Sequence, residues 1–409
     1  MLNICLYFHV HQPYRIRKYR IWDIGNNSNY FTESDEKLDN VKILNKVAQK
    51  CYLPTNSTLL ALLKKYPDFK ISFSFTGIIL DQLQQHLPDV LDSFRALVDT
   101  GRVDILAETY HHSLAFLFSK SEFESQVKLH TKKIKKLFGI TPKVFRNTEL
   151  IYNNELAQFV EKMGYKAILA EGASHILGWR SPNFVYRPVG TKKIKLLLKN
   201  YKLSDDIAFR FGEKSWEGWP LTAEKFSHWV SGHNGSAEII NLFMDYETFG
   251  EHQWEDTGIF NFLSSLPGEI YRHPDNRFVT VSEAAELLKP VADLDIPHYI
   301  SWADVERDLS AWLSNPMQED AVRVLYELEP LVLKSKNKAL VEDWRRLQTS
   351  DHFYYMCTKW FSDGDVHKYF NPYDSPYEAF IYFMNALSDL RLRIGEEKGV
   401  VSFAAKKSN

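Results

Sequence analysis

The feature that most narrows the fold is a recurring unit: a short apolar run that stops at a cluster of ionisable side chains. Its clearest instance is Ile239–Met244, where Ile239, Ile240, Leu242, Phe243 and Met244 are followed at once by Asp245, Glu247, Glu251 and His252. A run of that length and character reads as a strand buried on both faces, as in a parallel sheet. Leu2–Val10 repeats the unit and ends in His9, His11, Gln12 and Pro13. Val103–Ala107 leads into Glu108, Tyr110, His111 and His112, and Val144–Phe145 opens onto Arg146, Asn147, Thr148 and Glu149. Ala167–Ala170 leads to Glu171. Acids at the carboxyl ends of buried strands sit in the mouth of an α/β barrel or in the crevice of an open sheet, where such folds place their chemistry.

Between these runs the spacing predicts helices. They fall near Asp39–Lys50, over Asn56–Tyr66 with Asn56 or Ser57 as cap, and over Leu80–Thr100, Ser121–Phe138, Asn154–Met163 and Gly218–Val230. Lys70–Phe75 is a further strand, and Phe278–Val281 is a weaker one before a helix from Glu283 with Ser282 as cap. Strands alternating with helices argue for a parallel sheet, wound as a barrel or left open. Past Pro290–Pro297 the strand runs stop. Ala303–Leu313, Gln318–Ser335, Lys338–Thr349 and Ala379–Ile394 all follow helical spacing, so the chain divides into residues 1–290 and a helical part, 291–409. The tail Lys406–Asn409 is expected to fray.

A chain of 409 residues holds a barrel-sized domain and a smaller one. Its formal net charge of −2 gives no global reason for a nucleic-acid or anionic-membrane partner. Aromatic residues reach 14%, and flat rings are what sugar clefts stack on pyranose faces. Cys5, Cys51 and Cys357 are odd in number and form no CxxC pair, which speaks against a disulfide framework or a structural zinc. The apolar start after Met1 is too short for a secretory signal, and no window reaches the roughly 18 apolar residues of a membrane span. A cytoplasmic protein is the expectation.

Glu149 and Asp245, on different strand ends, are the pair that glycosidic cleavage needs: one attacks the anomeric carbon, the other protonates the leaving oxygen. Arg146, three residues before Glu149, can keep that carboxylate ionised, which favours Glu149 as nucleophile. Glu247 and Glu251 either raise Asp245 by like-charge repulsion or pair with Arg210.

The motifs His11-Gln12-Pro13, Phe145-Arg146-Asn147-Thr148-Glu149-Leu150 and Asp245-Tyr246-Glu247-Thr248-Phe249-Gly250-Glu251-His252 together resemble glycoside hydrolase family 57, in its α-amylase branch. Phe75-Thr76-Gly77, Glu108 to His112, Leu203 to Phe211 and Trp302 to Gln318 extend the likeness over nearly the whole chain. The resemblance implies an incomplete (β/α)7 barrel at 1–290, then a C-terminal α-helical bundle at 291–409 that completes the cleft. It implies retaining chemistry on α-1,4-glucans or maltooligosaccharides, with no metal or other cofactor. Glu149 matches the family's nucleophile, Asp245 its general acid/base, and His11 a substrate contact near the cleaved bond. His9, Gln12, Glu108, His111, Asp206, Arg210, His252, Trp302 and His352 are the other residues expected to bind substrate. Three alternatives stay open: a 4-α-glucanotransferase with the same intermediate, a catalytically silent glucan-binding protein, and a metal-dependent polysaccharide deacetylase using His9, His11 and His111. Oligomeric state is not legible.

Overall fold

The computed structural model describes residues 1–32, 35, 37–359 and 366–397; the tail Lys406–Asn409 lies outside them. The described chain gathers into two units. One holds Met1–Gln12, Leu44–Tyr110 and Ser125–Ala303; the other holds Pro13–Ile43, His111–Glu124 and the residues from Asp304 onward. No helix among the described residues is long and apolar enough to cross a membrane.

The first unit carries the strands: β1 (Leu2–Val10), β2 (Ile71–Phe75), β3 (Val103–Ile105), β4 (Val144–Phe145), β5 (Ala167–Glu171), β6 (Arg187–Pro188), β7 (Lys195–Lys199), β8 (Ile239–Asp245), β9 (Asn276–Phe278) and β10 (Asp293–Leu294). Every residue of β1, β2 and β5 is buried, as strands covered on both faces must be. β1 runs parallel to β8 along Asn3–His9 and to β2 along Tyr7–Val10, while β9 takes the foot of β1 at Leu2–Ile4. β2 pairs in turn with β3, and a second parallel sheet runs β4, β5, β7. β6 and β10 form a small separate ribbon.

Two seams join the sheets. At one, Ala107 N donates to Val144 O (2.9 Å) and Arg146 N donates to Ala107 O (2.8 Å). At the other, Asn200 N donates to Asn241 O (2.9 Å), and Asn241 Nδ2 donates to Leu198 O (2.9 Å). Strands β8, β1, β2, β3, β4, β5 and β7 therefore close a seven-stranded parallel ring, the expected (β/α)7 barrel, incomplete because bridges stand where full ladders would. Asn241, a polar residue inside an apolar run, is fully buried because it staples that seam. Cys5, Tyr7, Val144, Leu169, Leu197 and Phe243 pack in one buried cluster with Ala284 and Ala285 of the helix Val281–Leu287. The barrel is thus a filled core, and its chemistry is confined to its ends.

Several helix boundaries differ from the spacing. Leu80–Thr100 is two helices, Gly77–His86 and Pro88–Val98, because Pro88 cannot continue the first but suits the opening turn of the second. Asn56 and Ser57 cap nothing, since the helix Leu53–Lys65 continues directly from a π-turn at Ala48–Tyr52. The helix read over Gly218–Val230 starts only at Ala223, where Thr222 accepts from Lys225 N. Thr280, not Ser282, caps the helix that starts at Val281, with Glu283 closing a capping box. Ala303–Leu313 is not helical: Asp304 and Arg307 take φ values of 55° and 54°, which no α-helix accommodates.

The second unit is helical: Pro316–Glu327, Glu329–Ser335, Lys338–Arg346, Ser350–Tyr354, Val366–Phe370 and Pro376–Glu397. Pro330 divides the stretch read as one helix over Gln318–Ser335. Trp344 is fully buried, its Nε1 donating to Leu325 O at 2.9 Å. The early polar stretch belongs here, since Tyr30 donates to Asp389 Oδ2 (2.6 Å) and Tyr373 donates to Ile16 O (2.7 Å).

Candidate active site

The ionisable clusters meet at the carboxyl end of the barrel. From β1, His9 is 1% exposed. Its Nε2 lies 3.3 Å from Glu108 Oε2, beyond β3, and its Nδ1 lies 3.3 Å from Asp245 Oδ1, the last residue of β8. Register explains the second contact, because His9 and Asp245 are paired positions of adjacent strands. The fully buried Arg146, beyond β4, sets its guanidinium 3.6 Å from Glu108 Oε2 and 3.4 Å from His9 Nδ1. His11 stacks on His9 with ring centres 5.7 Å apart, and its Nδ1 lies 3.0 Å from Thr76 Oγ1.

Glu149 approaches the same cluster from β4. It sits in the left-handed region, φ 56° and ψ 24°, a conformation costing a non-glycine residue about 1–3 kcal/mol and typical of working sites. Trp302 holds it twice: Trp302 N donates to Glu149 O at 3.1 Å, and Nε1 donates to Oε2 at 2.8 Å. The indole has Arg146 5.1 Å and Lys199 5.3 Å from its ring centre, and its centre lies 6.4 Å from that of His9. A continuous path of contacts thus links Asp245 to Glu149 through His9 and Trp302.

The electrostatics separate the acids. Burial penalises the charge of Arg146, but Tyr7 and the carboxylates of Glu108, Glu149 and Asp245 push its pKa up. Burial alone would raise Asp245; the hydrogen bond and charge of His9, with His252 and Arg146, outweigh it and hold the carboxyl below its usual range. Its side chain is 42% exposed, so water still reaches the carboxylate. The like-charge penalty falls instead on Glu247, which is pushed up to about 7 by burial and by Asp245, with Tyr52 donating to its Oε1 at 2.5 Å. Glu251 does not pair with Arg210; it pairs with Lys46 at 2.5 Å.

Arg210 and Asp206 form their own pair, Nε to Oδ1 at 2.7 Å. His252 is half-buried, and burial lowers its pKa against the pull of Asp245 and Glu251. Gln12 accepts through its backbone oxygen from Gln82 at 2.8 Å. His111 and His352 belong to the helical unit, His111 with Nε2 3.7 Å from Glu342 and His352 with its ring against Phe383. Both nitrogens of His9 face carboxylates. A surface groove beside Met1, Asn3 and Phe184 lies at the foot of β1, the far end from the acids.

The sequence reading left Lys199 out. It is buried at the end of β7, with Nζ 2.9 Å from Asp205 and 3.8 Å from Glu171. The signal was present, since KLLLK repeats the apolar run ending in a charge.

A closed parallel barrel with acids from separate strands gathered at its carboxyl end is the equipment of a glycoside hydrolase. Residues 5–297 match Glycosyl hydrolase family 57, and the chain belongs to that family. It is 45% identical over 403 residues to a Methanocaldococcus jannaschii protein provisionally named alpha-amylase, covering 95% of this chain and 84% of that one. It is 21% identical over 310 residues to alpha-amylase 1 of Dictyoglomus thermophilum, covering 72% of this chain but only 41% of the relative. Among solved structures, the family 57 branching enzyme of Pyrococcus horikoshii superposes with a TM-score of 0.67 at 16% identity, over 89% of this chain and 87% of that one; at that identity the likeness is one of fold.

Proposed function

We propose that this chain cleaves α-1,4-glucans with retention of configuration, as an α-amylase does, with Glu149 as nucleophile and Asp245 as general acid/base. The strand-bearing unit, which runs on past residue 290 to Ala303 and so includes Trp302, carries the chemistry, and the residues from Asp304 onward belong to the helical unit. Glu149 attacks the anomeric carbon while Asp245 gives a proton to the departing glycosidic oxygen, leaving a glycosyl ester on Glu149. Asp245 then takes a proton from water, which attacks the same carbon and frees Glu149. The observation that carries this reading is the path of contacts by which both acids reach one His9–Arg146–Trp302 cluster. Arg146 balances the negative charge of the two acids, and Trp302 aims Glu149. His9, His11, Gln12, Glu108, Asp206, Arg210 and His252, all of the barrel unit, are assigned to substrate binding.

The test is product analysis on maltoheptaose for the native protein, Glu149→Gln and Asp245→Asn. Each variant is expected to lose roughly three orders of magnitude or more in rate. Cleavage at the native rate by either one overturns its role. Products longer than maltoheptaose would move the assignment to glucan transfer, in which a sugar hydroxyl replaces water. The buried free thiols of Cys5, Cys51 and Cys357 favour a reducing, cytoplasmic setting.

A further inference from the structure

Four large aromatic side chains of the barrel unit stand open to solvent on segments that follow strand carboxyl ends: Trp179 after β5, Phe209 and Trp219 after β7, and Trp254 after β8. Two of them share an anchor. The buried Gln253 side chain donates through Nε2 to Ala208 O (2.9 Å) and Phe209 O (3.4 Å), locking the segment after β7 to the loop after β8. The approach is close enough that a Cβ on Gly212 would come within 2.8 Å of Gln253 Oε1. Phe209, which supplies one of the two acceptors, and Trp254, next in sequence to Gln253, are 60% and 59% exposed.

Trp254 is not a loose surface ring. Its Nε1 donates to Glu251 O (3.1 Å), its carbonyl accepts from Thr257 N (3.0 Å) and Oγ1 (2.6 Å), and Lys50 stands 5.4 Å from the ring centre. The loop beneath it turns through Gly250 at φ 107°, where any Cβ would collide with Lys50 O. A rigid indole kept in water forgoes about 25 cal/mol for each Å² of apolar surface it could bury. The same loop begins at Asp245, so the ring is continuous with the acid's own segment.

We propose that Phe209 and Trp254 form an auxiliary stacking platform that holds the α-glucan chain at a distance from the bond being cut. The proposal rests on the glucan-cleaving reading. The exposed faces of the two rings suit the C–H faces of pyranoses. Glu255 and Asp256, both exposed just past Trp254, offer acceptors to sugar hydroxyls, whereas a protein partner would call for a contiguous apolar patch.

The test compares the native protein with the double variant Phe209→Ala/Trp254→Ala and with Trp254→Phe, on amylose and on maltotriose. The double variant is expected to raise KM for amylose tenfold or more while kcat on maltotriose changes less than twofold. Trp254→Phe should recover most of the affinity for amylose. Equal losses on both substrates, or an unchanged KM for amylose, overturn the platform alone. A native protein that cleaves neither substrate overturns the glucan reading, and the platform with it.

Discussion

Replacing Trp302 with phenylalanine removes one hydrogen-bond donor while keeping an aromatic ring between Arg146 and Lys199. Of the two bonds from Trp302 to Glu149, the substitution deletes only Nε1–H to Oε2, at 2.8 Å; the backbone bond at 3.1 Å stays. Glu149 already occupies a left-handed conformation at φ 56°, so the direction of its carboxylate depends on what the surroundings impose. A hydrogen bond to a charged group contributes about 1.5–3 kcal/mol. If that energy is what keeps the nucleophile aimed, its loss amounts to roughly 10- to 160-fold in kcat. Misplacement of a reacting atom by about 1 Å carries a penalty of the same order. The assay is steady-state kinetics on maltoheptaose, with kcat expected to fall within that range and KM to change by less than about threefold. A raised KM with kcat unchanged would refute the aiming role and return Trp302 to a plain sugar contact.

Glu247→Gln tests the buried carboxyl beside Asp245. Because Glu247 titrates at about 7 in the folded chain, both states hold its proton below the ordinary carboxyl range, and the stability this gives is lost as pH rises to 7. The variant should match the native protein near pH 4 and exceed it by about 3 kcal/mol above pH 7 in urea unfolding; a pH-independent difference would refute the assignment. Lys199→Met should destabilise by about 3–5 kcal/mol, since it leaves Glu171 and Asp205 buried without their cation. A loss below about 1 kcal/mol would show that water reaches that cluster.

The barrel was legible because its strands are buried on both faces, and burial of that kind writes an apolar run directly into the chain. β1, β4 and β8 begin where their runs begin. The acids were legible for the same reason: a charge that ends such a run must sit at a strand end. Helix limits were less so, because proline and capping choices move them without altering periodicity, as Pro88 and Thr280 do. Ala303–Leu313 has helical spacing yet turns through two left-handed residues, and spacing carries no record of φ. The direction of the Asp245 pKa was hidden altogether. Repulsion from Glu247 and Glu251 suggested a raised value, but the decisive neighbour, His9, is adjacent only through strand register.

That direction sets a requirement on catalysis. An acid/base residue must hold a proton when the glycosidic bond breaks, yet the unliganded site keeps Asp245 below the usual carboxylate range. Glucan binding is therefore expected to bring a proton to it. Sugar seated over the carboxylate would shed the water that reaches its 42%-exposed side chain and raise its pKa through desolvation. At neutral pH the proton has two sources: solvent, or Glu247, which still holds one up to about 7. Calorimetric titration with a non-hydrolysable thio-linked maltooligosaccharide, repeated at about pH 6.5, where Glu247 still holds its proton, in buffers of different ionisation enthalpy, counts it. Uptake of about one proton per ligand is expected from linkage, and Asp245→Asn should abolish it. Zero uptake that persists in Glu247→Gln would refute the requirement, because neither source would then have supplied the acid.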